Sequence, residues 1–559
     1  MSKSVRIALI IVSFLITAFF LGFRLGKGDP VTDEVELAFR ALGDMDFFAT
    51  PFQTTPLEWF SGSVWWTHLS FHDHPPVIFA LGHLVFKMFG DSLLTLRIPF
   101  AILGLGSLVL LYLFSRKLFD EKIALIALAI AAVNTYLTWI GRIGLQEELV
   151  IFFNILSLYL LTKVEQRRIF FIFWGIAFGL GVLSKYTAVI ILPVSILYLW
   201  YFNPIELKKK SFYLSLLLAV LVFSPVLIYN VAMYHAVGHF DLQLSSLLHE
   251  NVSAHWQTLP GKQIGTIWSR LATFYPNLWN NDLPFALLFL PSLIFLLFLY
   301  ARSRLGSQGK FLFWVIILYH LLITVIGPSQ RFLVMLVPWG IIVIAYALFA
   351  VWKRNRLVFY VLIVSIFIYQ VYYNFAANLS YSYDTESAWR YSKLRLESGA
   401  FGYNELENYL VGLLDTKKPA VKLGFPTKLK FVESFRAEDF RGISENPEAP
   451  YLVIYDPRVN QVAKLWLYDR RYYYDGWPFV SVDEFLTVQK VAPQYFSDLG
   501  VKDYFYIAAT EATFVGAPVP HSQAAKFEQE RFLDEKIVAE KEIVNRQGQK
   551  VFSIYRFSL

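Results

Sequence analysis

Seven ionisable residues in this chain have a type and a placement that could do chemistry: Asp33, Glu34, His74, Glu147, Glu148, Lys185 and Arg331. Each stands beside an apolar run, at the same end once those runs are read as membrane spans. A carboxylate so placed can take a proton from an attacking hydroxyl. The two cations can hold a phosphate or pyrophosphate, Lys185 as a point charge and Arg331 through a bidentate fork. Such a one-sided set suits work on a substrate held in the bilayer.

Each motif also has a plainer reading. Thr32-Asp33-Glu34 opens the first loop, where Asp33 can be a general base or a helix N-cap. His72-Asp73-His74-Pro75-Pro76 fits no standard zinc spacing; its prolines stiffen a helix entry, and His74 can face a phosphate. In Arg142-Ile-Gly-Leu-Gln-Glu147-Glu148, acidic residues begin a helix, as the helix dipole favours. Taken singly, Lys185 and Arg331 are snorkelling anchors. The chain has no Walker loop, dinucleotide fingerprint, HExxH motif or nucleophile elbow. It has no cysteine, which excludes disulfides, thiolate metal sites and cysteine nucleophiles.

The elements that must position these residues are membrane helices. Of 559 residues, 56% are hydrophobic and 17% charged, and long apolar runs recur up to about residue 374. The class is an α-helical polytopic membrane protein. Candidate spans are 5–23, 98–115, 123–140, 148–162, 169–183, 187–202, 212–233, 284–301, 311–326, 332–352 and 357–374, eleven in all. Basic clusters mark alternate junctions: Lys3/Arg6, Arg116/Lys117/Lys122, Lys163/Arg167/Arg168, Lys208/Lys209/Lys210, Arg302/Arg304/Lys310 and Lys353/Arg354/Arg356. Positive charge stays cytoplasmic, so the N-terminus lies inside and the C-terminal part outside a multi-pass cell-membrane protein. The net charge of +7 needs no nucleic acid to explain it.

The run 76–89 is too short to span and reads as an interfacial helix on the outer surface. The run 149–162 covers roughly 21 Å at the helical rise, so Glu147 and Glu148 dip below the outer surface into a protein-lined cavity. The short run 169–183 argues the same for Lys185. Residues 1–374 form the membrane domain and 375–559 an extracytoplasmic α/β domain. In the latter, strand-like runs fall at Tyr451–Tyr455, Tyr504–Ala508 and Val551–Tyr555, with a helix-like stretch at 482–499.

The ordered set Asp33-Glu34, His74-Pro75-Pro76, Arg97-Ile-Pro99, Arg142 with Glu147 five residues on, Gly179-Leu-Gly-Val-Leu-Ser-Lys185, and Arg331 followed by Pro338 resembles the GT-C glycosyltransferases. Within them it is most similar to the branch of protein O-mannosyltransferases and aminoarabinose transferases. The resemblance covers about residues 1–350. It implies a GT-C fold and transfer of a sugar from a polyprenyl-phosphate carrier to a protein, lipid or glycan acceptor on the outer face. Asp33 and Glu34 match the family's acidic first-loop position. Glu147 matches a position that is usually Asp, and Lys185 and Arg331 match basic positions. Asp33 is then the base, Glu147 its supporting carboxylate, and Lys185, Arg331 and His74 the phosphate contacts. The donor is a substrate and membrane lipid is the surrounding partner; no cofactor is assigned, no residue is assigned to a metal, and a divalent metal stays open. Two other readings stay open: a transporter or flippase for a lipid-linked sugar, and a noncatalytic envelope assembly factor.

Overall fold

The structure, a computed structural model, describes residues 2–43, 74–248, 250, 265–380, 389, 392–394, 400–414, 451–474, 477–513 and 522–559. It divides into two compact units: Met1–Gly26 with Asp44–Ser398, and Lys27–Gly43 with Gly399–Leu559.

The first unit is helical, and helical segments, in places two or three in succession, lie over the eleven expected runs. The helices are not alike. Among the described residues, seven are long and apolar enough to cross a membrane: Lys3–Gly22, Leu93–Leu118, Lys210–Val237, Leu283–Ala301, Ser307–Ile326, Gln330–Arg354 and Arg356–Asn378. The expected span 123–140 is broken, Glu121–Val133 and Thr135–Gly141 meeting at 62°. Gln146–Leu161 and Ile169–Ser184 have 16 residues each. That length reaches about 24 Å, short of a hydrocarbon core of about 30 Å. Tyr186–Phe202 is also short, and it opens with a tight turn of 3₁₀-helix. The run expected as an interfacial helix is the 13-residue helix Val77–Phe89.

The break at Asn134 is held by polar side chains. Asn134 caps the second half by accepting from Leu137 N at 2.9 Å. Asn374 donates to the Val133 carbonyl at 3.0 Å, and Asn378 to that of Thr135 at 3.2 Å. Asp282 accepts from Asn134 Nδ2 at 3.0 Å and Tyr136 N at 3.2 Å, while capping Leu283–Ala301 through Phe285 N. All four side chains are buried. An unsatisfied peptide group at such a place costs several kcal/mol, so the break persists only because neighbouring helices supply its partners.

The second unit is built on a five-stranded sheet of order β2-β1-β3-β5-β4. Its strands are β1 (Tyr451–Tyr455), β2 (Phe479–Ser481), β3 (Asp503–Ala509), β4 (Lys541–Val544) and β5 (Lys550–Phe557). β1 runs parallel to β2 and β3, whereas β5 is antiparallel to β3 and β4. β1 is buried along its whole length, as a central strand covered on both faces should be. The helix-like stretch becomes Val482–Val491, started by a capping box between Ser481 and Glu484, and a short helix Tyr495–Asp498. The helix Glu34–Gly43 also belongs to this unit. It packs on the segment Gln461–Tyr474, and Val31 before it packs on the core of the sheet.

Candidate active site

Three helix ends in the first unit meet at Glu147. The residue lies in the first turn of Gln146–Leu161, where the dipole favours a carboxylate. Lys185 follows the last turn of Ile169–Ser184, in extended backbone, where the dipole favours a cation. Arg331 lies in the short helix Gln330–Leu333, which runs on through a 3₁₀ turn into Val337–Arg354. A cation at a helix start works against the dipole, and the carboxylate offsets it.

Lys185 Nζ donates to Glu147 Oε1 at 2.6 Å, and Arg331 Nε donates to the same oxygen at 3.2 Å. Lys185 also lies 5.1 Å from the ring centre of Phe332. Glu147 is fully buried, and the side chains of Lys185 and Arg331 are only 10% and 13% exposed. Glu147 Oε2 has no hydrogen-bond partner among the described residues. Two cations thus share one carboxylate oxygen at this buried spot.

The surroundings hold the two cations in place. The Tyr136 hydroxyl donates to the carbonyl of Gln330 at 2.6 Å, next to Arg331, and Asn281 donates to that hydroxyl at 2.8 Å. Beside Lys185, the Tyr186 hydroxyl donates to Asp241 Oδ2 at 2.6 Å, which also accepts from Asn230 at 2.7 Å. Sequence reasoning passed over these supports. Their signal was an Asn or Asp inside or at the end of an apolar run.

The other expected residues fall as follows. Val77, three residues after His74, packs on the small core around Leu183, and Tyr186 packs there too. This brings the start of helix Val77–Phe89 to the Lys185 end of its helix. His72 and Asp73 lie outside the described residues. Glu148 has other contacts: Ser107 donates to it at 2.8 Å, and it lines a cavity of about 20 Å³ with Leu21, Gly104 and Pro338, room for about one water. Arg142 has a supporting task. It donates to the carbonyls of Phe20 at 2.7 Å and Phe23 at 2.8 Å, capping the C-terminus of Lys3–Gly22, and Arg97 does the same for Leu25 at 2.9 Å. No group of three or more His, Asp or Glu that could hold a metal occurs among the described residues.

Asp33 and Glu34 belong to the second unit. Asp33 is exposed and immediately precedes the helix Glu34–Gly43, its carbonyl accepting from Leu37 N at 3.3 Å; Glu34 is buried. Asp29, earlier in the loop, is buried and accepts from Phe401 N at 2.7 Å and Asn404 N at 3.0 Å. Burial, with Glu405 adding to it, pushes the Asp29 carboxyl up to about 6, against the pull of those amides and Arg546.

In fold the chain is a GT-C membrane protein. The likeness is to ArnT from Cupriavidus metallidurans bound to undecaprenyl phosphate, with a TM-score of 0.50 at 13% identity over 99% of this chain and 98% of that one. Residues 73–229, which carry His74, Glu147 and Lys185, match the family described as dolichyl-phosphate-mannose-protein mannosyltransferase. An uncharacterised protein of Aquifex aeolicus is 34% identical over 153 residues, 26% of this chain and 31% of its own. The putative mannosyltransferase YkcB of Bacillus subtilis is 30% identical over 159 residues, 27% of this chain and 21% of its own. The matches thus span a third or less of these curated relatives.

Proposed function

We propose that the chain is a membrane glycosyltransferase that moves a sugar from a polyprenyl-phosphate carrier to a hydroxyl of a protein, lipid or glycan on the outer face of the cell membrane. The observation that carries this reading is the meeting of Lys185 and Arg331, from two different helix ends, on one oxygen of a buried carboxylate. Two buried cations among short helices suit the phosphate of a lipid whose tail stays in the bilayer. The undecaprenyl phosphate bound to the ArnT neighbour and the family description of residues 73–229 point the same way.

In this reading the acceptor oxygen attacks the anomeric carbon as the bond from that carbon to the phosphate oxygen breaks. Asp33, with Glu34 beside it, takes the hydroxyl proton. Lys185 and Arg331, with His74 near the start of its helix, take up the charge that grows on the departing phosphate. Glu147 orients the two cations. The products are the glycosylated acceptor and the polyprenyl phosphate. A phosphate is already a good leaving group, so no strong general acid is required.

The test is transfer of radiolabelled sugar from a panel of polyprenyl-phosphate sugars to cell-envelope fractions, with Asp33→Asn alongside. The wild type should transfer from at least one donor, and the variant should lose about a hundred- to ten-thousandfold while still binding donor. Asn caps a helix about as well as Asp, so a merely structural Asp33 would tolerate the change. Near-normal transfer by folded Asp33→Asn would remove it as the base.

A further inference from the structure

Loops that carry catalytic groups are usually the mobile parts of a protein, and a base displaced by an ångström can lose a hundredfold in rate. The loop bearing Asp33 and Glu34 is fastened on both sides of those residues by side chains from near the other end of the chain. On the N-terminal side Asp29 accepts the amides of Phe401 and Asn404, while Asn404 Nδ2, at 2.8 Å, and Arg546 both donate to the Lys27 carbonyl. On the C-terminal side the Tyr474 hydroxyl donates to the Phe39 carbonyl at 2.5 Å, and its ring meets that of Phe39 edge-on at 5.4 Å. Gly43 completes the anchor: a Cβ there would stand 2.4 Å from Tyr474 Cε1, so a side chain would force the ring away. Between the anchors, Val35, Leu37, Ala38, Phe39, Ala41 and Leu42 are all buried.

We infer that the C-terminal unit is the holder of this loop and sets the rate of turnover through it, with Asp29 and Tyr474 as positioning residues. This rests on the reading of Asp33 as the base. It gives the C-terminal residues a task in the reaction that does not require them to touch donor or acceptor.

The test uses the full chain in lipid nanodiscs with Tyr474→Phe, which deletes one hydrogen bond, and Asp29→Ala, which removes both acceptors of the Phe401 and Asn404 amides. Ser481→Ala, in the capping box of a different helix, is the control for general loosening. Amide hydrogen exchange in residues 34–43 should quicken roughly two- to tenfold in both variants and stay at wild-type rates in the control. Where the donor is known, kcat should fall by a similar factor with KM for the donor unchanged. Wild-type exchange in both variants would overturn the inference, and so would faster exchange with an unaltered kcat. The exchange arm needs no transfer activity. If Asp33→Asn proves active, the base assignment fails on its own, and exchange still decides whether the loop is clamped.

Discussion

Two clusters in this molecule have the same composition, one glutamate and two cations, and different states of completion. In the second unit Glu407 engages both of its oxygens. Arg471 grips it through Nη1 at 2.9 Å and Nη2 at 3.0 Å, and Arg470 adds a bond through Nη2. Arg471 further donates to the Leu467 carbonyl at 2.7 Å, and the Arg470 guanidinium stacks 4.0 Å from the centre of the Trp466 ring. That cluster joins helix Tyr403–Leu414 to the segment Gln461–Tyr474, and both oxygens of its carboxylate are used, although Arg470 Nε has no hydrogen-bond partner among the described residues. In the first unit Glu147 receives both cations on one oxygen and, among the described residues, leaves the other without a partner. Charge count cannot tell a strut from a site. The share of hydrogen-bonding capacity left over can, because a buried polar atom without a partner costs free energy unless something binds there.

The contrast can be broken by exchanging the expected phenotypes. Lys185→Ala and Arg331→Ala should each lower kcat/KM for a lipid-phosphate donor by roughly ten- to a hundredfold, the worth of a charge-assisted contact, with thermal unfolding of the second unit unchanged. Arg471→Ala should do the reverse. If Arg331→Ala unfolds the protein and leaves donor use intact in whatever survives, the Glu147 cluster is a strut as well.

Next in size is Glu407→Gln. It leaves two mostly buried guanidinium groups without their counter-charge and should destabilise the second unit by about 3 kcal/mol in denaturant titration. The Glu407 carboxyl is opposed by burial, yet Arg470 and Arg471 outweigh that and hold it below the usual range. A depressed carboxyl stabilises the fold above its unfolded pKa, and that stability is lost as pH falls through the folded one. The wild type should therefore lose more stability than Glu407→Gln on acidification from about pH 5 downward. Equal acid sensitivity would mean that the pair is not tuned as described.

The smallest effect concerns Asp29, and its sign is opposite. Its carboxyl is pushed up to about 6, chiefly by burial and then by Glu405, against Asn404 N, Phe401 N and Arg546. A raised acid stabilises the fold below its unfolded pKa and loses that contribution as pH rises through about 6. Protection of residues 27–43, corrected for intrinsic exchange rates, should be greater at pH 5 than at pH 7.5. Asp29→Asn should flatten the difference. A flat wild-type profile would show that the burial of Asp29 is relieved by solvent.

Much of this was legible in the sequence, because apolar runs and strand-like runs report burial directly. Tyr451–Tyr455 is a strand of those bounds, and the runs at 504–508 and 551–555 lie inside β3 and β5. β4 escaped because Lys541-Glu542-Ile543-Val544 is a largely exposed edge strand without an apolar face to read. The break at Asn134 escaped because its partners, Asp282, Asn374 and Asn378, lie far along the chain within or beside other apolar runs. The attachment of Lys27–Gly43 to the C-terminal unit was invisible for a similar reason: the amide that Asp29 accepts from Phe401 is 372 residues away, and no local pattern encodes such a contact. Arg142 was visible as part of a motif, but only the geometry shows it capping the first helix. The meeting of Lys185 and Arg331 was foreseen from their shared membrane face, whereas the single oxygen that both contact was not.

The most direct measurement is equilibrium binding of a polyprenyl phosphate to the purified full chain, wild type against Lys185→Ala, Arg331→Ala and the exposed-site control Arg556→Ala. The dissociation constant should rise roughly ten- to a hundredfold in the first two and stay within twofold in the control. Unchanged binding in both Lys185→Ala and Arg331→Ala would contradict the assignment of this cluster as the donor-phosphate site.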